Sequence, residues 1–210
     1  MKPYYQDDAV TIYHGDCRQI VPQLGRFDLL LTDPPYGIGF DTDYRRFTSG
    51  FKVPRTNHTP IHGDDNPFDP SEWMGYNNII LWGANCFPEK LKAGTLLVWD
   101  KRFKNGAAFL ADAEVAWMNK GHGVYIYSET SQGCIRSEAV QHPTQKPEGL
   151  MRWCLEKFPN AKTILDPFAG SGTTGRAAKD LGRKATLIER EEKYCEIAAR
   201  RLAQEVLAFA

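Results

Sequence analysis

Residues 29–40 read Leu-Leu-Leu-Thr-Asp-Pro-Pro-Tyr-Gly-Ile-Gly-Phe, an apolar run that ends in Asp33, Pro34, Pro35 and Tyr36. Proline fixes φ and removes a backbone donor, so two in succession stiffen the turn from which a carboxylate and an aromatic ring project. A carboxylate held in this way is a hydrogen-bond acceptor set in place before any substrate arrives. In an arbitrary protein the same four residues would make a capped turn with a half-buried tyrosine. The rest of the chain has to decide between these readings.

A second constellation lies near the other end of the chain. Gly170, Gly172 and Gly175 satisfy G-x-G-x-x-G; an apolar run ending in Asp166 precedes them and a helical segment with Ala177, Ala178 and Leu181 follows. Glu189 ends the next apolar run, 14 residues beyond Gly175. Glycines allow a tight turn and close approach of a ligand, and a carboxylate at the end of the following strand can accept hydrogen bonds from ribose hydroxyls. The glycine pattern alone would also fit an empty turn, but the strand-turn-helix-strand-acid context favours a ligand that carries a ribose. NAD is disfavoured on two grounds: only about 35 residues follow Gly175, too few for the usual remainder of a dinucleotide fold, and Asp166 would repel a pyrophosphate. S-adenosylmethionine, with a ribose, an ammonium group and a sulfonium, suits an acid at that position.

The elements that must position these groups are short apolar runs beginning near residues 10, 28, 78, 95, 113, 124, 163 and 185. Several are apolar on both faces, as strands in a covered sheet are. Between them, Asp69-Pro70-Ser71-Glu72 has the form of a helix start with a capping box. Leu150, Cys154 and Phe158 share one helical face, and Tyr194, Ile197, Ala198 and Leu202 share another. The expectation is a single α/β domain over residues 1–210 with about seven mostly parallel strands and helices on both faces. Residues 37–68, rich in Gly, Pro, Thr and charge, have no clear periodicity and are expected to be a functional loop.

Bulk properties narrow the class. The 210 residues are 42% apolar and 25% charged, values of an ordinary folded chain. Lys plus Arg and Asp plus Glu are both 26, so any phosphate-binding surface must be local. Arg45, Arg46, Lys52 and Arg55 form one basic cluster and Lys101, Arg102 and Lys104 another; a solvated charged loop is the plain alternative for each. Five cysteines, odd in number and without CxxC spacing, read as free thiols, and the histidines have no metal-ligand spacing, so no metal site is expected. Neither a membrane span nor a signal peptide is evident, and a cytoplasmic location is expected.

Together, Asp33-Pro34-Pro35-Tyr36 followed by Asp166-Pro-Phe168-Ala-Gly170-Ser171-Gly172-Thr173-Thr-Gly175 resembles the amino-directed (N6-adenine or N4-cytosine) DNA methyltransferases, in the class whose catalytic motif precedes its cofactor motif. Tyr13-His-Gly-Asp16-Cys resembles the family's G-D segment, Trp82-Gly-Ala-Asn-Cys-Phe and Leu96-Leu-Val-Trp-Asp-Lys101 resemble the middle motifs of the phage and restriction-modification members, and His142-Pro-Thr144-Gln145-Lys146-Pro resembles the segment that closes over the cofactor. The resemblance spans about residues 10–200. It implies a Rossmann-like methyltransferase fold and S-adenosylmethionine held by Asp16, Asp33, Asp166, Phe168, Gly170, Ser171, Gly172, Thr173 and Glu189, with Thr144, Gln145 and Lys146 closing over its methionine end. It also implies a clamp on a base rotated out of double-stranded DNA: Asp33 and the Pro34 carbonyl accept the amino hydrogens, Pro35 stiffens the turn, and Tyr36 stacks.

Asp at the first motif position is more often associated with adenine N6; cytosine N4, RNA amino-methylation and a catalytically silent partner subunit are the alternatives. A cytosine-C5 mechanism needs a cysteine nucleophile, usually after a proline, and no Pro-Cys pair occurs. The chain has little room for a target-recognition region beyond the loops at 37–68 and 101–142, which points to a short recognition site, relaxed specificity, or a homodimer in which the second subunit adds DNA contacts.

Overall fold

Two-sided burial is what the apolar runs impose. In β3 (Leu29–Thr32) all four residues are buried, as they are in β4 (Ile79–Trp82). Alternate side chains enter two separate clusters: Leu29, Leu31, Ile80 and Trp82 on one face of the sheet, Leu30, Ile79 and Leu81 on the other. Each fully buried Leu or Ile contributes about 2 kcal/mol of transfer free energy, so such runs are stable only in the middle of a covered sheet.

The computed structural model describes residues 1–40, 62–102, 111–129 and 145–204. The remaining strands are β1 (Tyr5–Gln6), β2 (Val10–His14), β5 (Thr95–Asp100), β6 (Ala113–Met118), β7 (Val124–Ser128), β8 (Thr163–Asp166) and β9 (Lys184–Glu189). They form one sheet in the order β1-β2-β9-β8-β3-β4-β6-β5-β7. The pairs β2/β9, β8/β9, β3/β8, β3/β4 and β5/β7 are parallel, and β1/β2, β4/β6 and β5/β6 antiparallel. All eight anticipated runs are strands. The ninth, β1, is a two-residue edge that periodicity cannot register.

Three helices cover one face: α2 (Glu148–Glu156), α3 (Thr173–Asp180) and α4 (Glu192–Ala203), through Leu150, Met151, Cys154 and Leu155, Ala177 and Ala178, and Cys195, Ala198 and Leu202. The α4 stripe includes Cys195, while Ile197 is only half-buried, a small rotation from the expected face. Buried Arg183 donates to the Leu155 and Phe158 carbonyls at the end of α2, where a cation also complements the helix dipole. The opposite face is covered more thinly, by the four-residue α1 (Cys17–Ile20) and by 3-10 turns that insert Trp73 and Phe87.

The expected helix start at Asp69 is one of those turns, Pro70–Trp73. Asp69 caps it, accepting from the Ser71 amide, whereas Glu72 reaches Arg18 at 3.2 Å and leaves the reciprocal half of a capping box unmade. Cys17, Cys154 and Cys195 are buried, and burial pushes the Cys17 and Cys195 thiols up to about 12, which suits packing and opposes nucleophilic chemistry.

Candidate active site

From β3 the chain proceeds to β4 on one side of the sheet, and from β8 to β9 on the other, so the winding reverses between β3 and β8. A crevice opens at such a point beyond the carboxyl ends of parallel strands, where ligands of open α/β sheets bind. Asp33 follows β3, Asp166 ends β8, Glu189 ends β9 and Asp16 follows β2 two residues after His14, which pairs with Glu189. Residues 16, 33, 166 and 189, far apart in sequence, therefore line one edge.

The glycine turn is built largely from backbone. Gly170 and Gly172 have positive φ of 51° and 79°, and a Cβ on Gly172 would lie 2.8 Å from that of Ala198. The amides of Gly170 and Glu191 donate to the two Glu189 carboxylate oxygens at 2.8 and 2.7 Å. Burial raises the Glu189 pKa against these amides, and each oxygen keeps acceptor capacity. Arg201 on α4 donates to the Ser171 carbonyl at 2.7 Å, to the Ser171 and Thr173 hydroxyls, and to Glu148 at 2.8 Å; Ser171 also donates to Gln145 at 3.1 Å. Ser171, Thr173 and Gln145, expected to touch a cofactor, are buried in this network. Asp166 is committed as well: it accepts from the hydroxyls of Thr32 (2.6 Å) and Thr174 (2.5 Å) and from the Phe168 amide (3.1 Å), joining β3, β8 and α3. Burial pushes its carboxyl up to about 6 despite these donors. Phe168 packs edge-on against Phe68 and Trp73, each with centroids 5.8 Å away.

The Asp33 turn is built from charge. Tyr36 Oη donates to Asp33 Oδ1 at 2.6 Å and Lys146 Nζ to Oδ2 at 2.5 Å. Lys146 also contacts Glu114 Oε2 at 2.9 Å, and Glu114 Oε1 accepts from Lys101 Nζ at 3.0 Å. The Lys146 and Lys101 side chains are only 5% and 9% exposed and the Asp33 and Glu114 carboxylates are partly buried, so this is a largely buried polar chain running Tyr36–Asp33–Lys146–Glu114–Lys101.

Burial opposes charge throughout that chain. It pulls Lys146 down, but Asp33 and Glu114 hold its ammonium above the ordinary range. It pushes Glu114 up, but Lys146 and Lys101 bring it down to about 2. Asp33 is raised by burial, with Lys146 opposing and Glu114 assisting. Tyr36 is pushed well above its usual value by burial and by Asp33, so it stays a donor. Lys146, which the resemblance places beside the cofactor's methionine end, meets Asp33, another residue expected at the cofactor. Lys101 was expected on DNA phosphate and is instead buried against Glu114 and 5.7 Å above the Trp99 ring. Arg102 is exposed and forks onto Asp100 at 2.9 Å through both Nε and Nη2. Arg45, Arg46, Lys52, Arg55, Lys104 and Thr144 lie outside the described residues, as do residues 41–61, 103–110 and 130–142 of the two expected loops; the middle of the second is not loop but β6 and β7, held by ladder hydrogen bonds in the sheet.

Two supports were not anticipated. Asp64 is 5% exposed, and its carboxylate accepts from the amides of Gly37 (2.8 Å) and Phe40 (2.6 Å), shaping the segment after Tyr36. Gly83, at φ 79° just after β4, lies against the Tyr36 ring, where any Cβ would fall 2.2 Å from a ring carbon. Glu114 had one sequence signal, an acid inside the otherwise apolar run Ala113–Met118. Among the described residues no group of three His, Cys, Asp or Glu side chains could hold a metal ion.

Comparison with known proteins agrees with this arrangement. Residues 112–200 match the N6_N4_Mtase family model, described as DNA methylase. The chain is 52% identical to type II methyltransferase M2.DpnII of Streptococcus pneumoniae, covering 97% of this chain and 93% of that protein, and 48% identical to M.HinfI of Haemophilus influenzae, covering 97% and 71%. Among solved structures, the M1.HpyAVI-SAM complex superposes with a TM-score of 0.56 at 24% identity over 93% of this chain and 100% of that one. PvuII DNA methyltransferase (cytosine-N4-specific) does so with 0.61 at 14% identity over 99% and 91%; both have the same fold. By sequence, fold and site together, the chain belongs to the N6/N4 DNA methylase family of type II methyltransferases.

Proposed function

We propose that the chain transfers a methyl group from S-adenosylmethionine to the exocyclic amino group of a base in double-stranded DNA, adenine at N6. The observation that carries this reading is the Thr32–Asp166 hydrogen bond of 2.6 Å, which ties the end of the Asp33 strand to the start of the glycine turn and so makes the two half-sites neighbours.

The residues present fit the cofactor. Three carboxylates, Asp16, Asp166 and Glu189, end strands or follow them around the crevice beside the lysine-paired Asp33, a field that suits a ligand carrying sulfonium and ammonium charge and opposes a pyrophosphate. Trp73 Nε1, buried beside Phe168, has no hydrogen-bond partner among the described residues and is a spare donor on that side. Asp16, Phe168, Gly170 and Glu189 would hold the adenosine. Bound S-adenosylmethionine supplies an electrophilic methyl group.

The chain's own residues prepare the nucleophile. An exocyclic amino nitrogen is weakly nucleophilic because its lone pair is delocalised into the ring. Asp33, accepting an amino hydrogen, draws the nitrogen toward tetrahedral geometry and stabilises the positive charge that develops there. The prolines limit the turn's freedom, and the Tyr36 hydroxyl fixes the carboxylate's orientation. The target base leaves the helix to reach this acceptor, and Tyr36 faces it from the clamp.

Transfer of isotopically labelled methyl to mixed-sequence duplex DNA, followed by nucleoside mass spectrometry, tests the reading. N6-methyladenine is expected. N4-methylcytosine would keep the clamp and change the base; label in structured RNA but not DNA would move the substrate; cofactor binding without any transfer would make the chain a silent partner subunit. Light scattering with and without DNA tests a homodimer that shares phosphate contacts. No described helix is long and apolar enough to cross a membrane, and we place the enzyme in the cytoplasm, with its DNA.

A further inference from the structure

We propose that Lys146 is a stand-in for the base's amino group: its ammonium holds the Asp33 carboxylate while no base is present and withdraws onto Glu114, which Lys101 fixes from behind, when a base enters. This rests on the reading of Asp33 as the acceptor of the amino group.

Three observations lead there. Both Asp33 oxygens already have a donor, Tyr36 Oη on one and Lys146 Nζ on the other. The amino group offers an N–H donor of the kind Lys146 already supplies, so it must share or replace one of them. Lys146 is the donor able to leave at low cost, because Glu114 Oε2 is already 2.9 Å from Nζ; a side chain this buried cannot release one carboxylate without another to receive it. Glu114 in turn cannot follow Lys146. Its second oxygen is held by Lys101, whose backbone amide is anchored on the Asp112 carbonyl at 2.9 Å.

Charge counting gives the arrangement a purpose. Two ammoniums and two carboxylates balance in the base-free chain. With a neutral base on Asp33 and both lysines on Glu114, the Asp33 charge is no longer cancelled at contact distance. It then faces the nitrogen that becomes positive during transfer. A permanently paired Asp33 would lose much of that stabilisation, and a permanently bare one would stay buried and uncompensated between turnovers. Glu114 and Lys101 are thus positioning residues for Lys146, and Lys146 is one for Asp33.

The test is a double-mutant cycle read in single-turnover methyl transfer to duplex DNA at saturating S-adenosylmethionine, with cofactor affinity and thermal unfolding measured on every variant. Glu114→Gln deprives Lys146 of its second carboxylate and is expected to slow transfer roughly tenfold to a hundredfold, with cofactor affinity unchanged. Lys146→Met leaves Glu114 on Lys101 and Asp33 without a contacting cation, one negative charge in excess. In that background Glu114→Gln restores the charge balance, so the double variant is expected to be no slower than Lys146→Met alone.

That loss of the Glu114→Gln effect in the Lys146→Met background separates withdrawal from simple scaffolding, in which the losses would add and would track thermal stability. Additive losses, an unaffected Glu114→Gln, or an equal loss of cofactor affinity would overturn the inference. If Glu114→Gln does not fold, Lys101→Met, which only loosens Glu114, is expected to slow transfer in the same sense by a smaller factor, and no slowing there would likewise overturn it. Should the wild-type chain bind cofactor and methylate nothing, the proposed function fails first and this inference with it.

Discussion

Asp33 and Asp166 follow or end adjacent parallel strands and are linked through Thr32, yet they are compensated by different chemistry. Asp166 is surrounded by two hydroxyls and an amide, neutral donors that lock three elements together. Asp33 is met by a tyrosine hydroxyl and a lysine ammonium that has another carboxylate within reach. Fixed dipoles suit a carboxylate whose task is to hold backbone, and a cation with two partners suits one whose charge must be released to a substrate. The same contrast separates the two halves of the site, one a cradle of glycine and amide, the other a chain of buried charges.

The largest effect should come from the charged half. Asp33→Ala is expected to lower methyl transfer by about a thousandfold or more while S-adenosylmethionine affinity, read by calorimetry, changes little; loss of both together would mean that the halves are not separable.

Next in size is the pH response of the neutral half. Burial raises the folded Asp166 carboxyl from 3.8 to about 6, so the folded state holds that proton more tightly than the unfolded one. Its contribution to stability is full below pH 3.8 and is lost as pH rises through 6, on the order of 3 kcal/mol in all. Wild type should therefore lose ground to Asp166→Asn across that window in denaturant unfolding, and a pH-independent difference would show the hydrogen bonds alone at work.

Smaller is Gly172→Ala. A left-handed φ and a Cβ pressed on Ala198 should cost about 2 kcal/mol of stability in the same assay, and no loss would mean that the cradle is softer than its glycines suggest. Smallest is Arg102→Ala. Its exposed fork onto Asp100 is screened by solvent and should leave stability in denaturant unfolding essentially unchanged. If it meets phosphate, the salt dependence of DNA binding should weaken by about one charge.

These halves also differed in how far they could be read from sequence. The strand, turn, helix and acid of the cradle are contiguous, from Thr163 to Glu189, so spacing carries them, while Gln145, Glu148 and Arg201, which brace the turn, come from outside that stretch. The clamp draws on Asp33, Lys101, Glu114 and Lys146, which only the sheet order brings together. The resemblance identified Asp33 and Tyr36, but not that Lys146 meets Asp33, because nothing local in Gln145-Lys146-Pro147 says which carboxylate the lysine will find. Lys101 misled for a related reason: beside Arg102 and Lys104 it looks like one charge in a solvated cluster, and only its cross-sheet neighbourhood with Glu114 turns it inward. Asp64 carried no signal, since amides of Gly37 and Phe40 are invisible to side-chain pattern. The short edge strand β1 and the 3-10 form of residues 70–73 lie below the length at which periodicity speaks.

The central pairing of β3 with β8 has a consequence for how the molecule comes into being. Thr32 and Asp166 are 134 residues apart, and β3 is the middle strand of nine. During synthesis, Leu29 to Thr32 leave the ribosome early with one flank open, and they wait until β8 has emerged before the sheet can close. Contacts so distant in sequence slow folding, and an apolar strand left waiting invites wrong partners. Truncations that end before residue 166 are therefore expected to be aggregation-prone. The strand that places Asp33 is made long before the neighbour that encloses it.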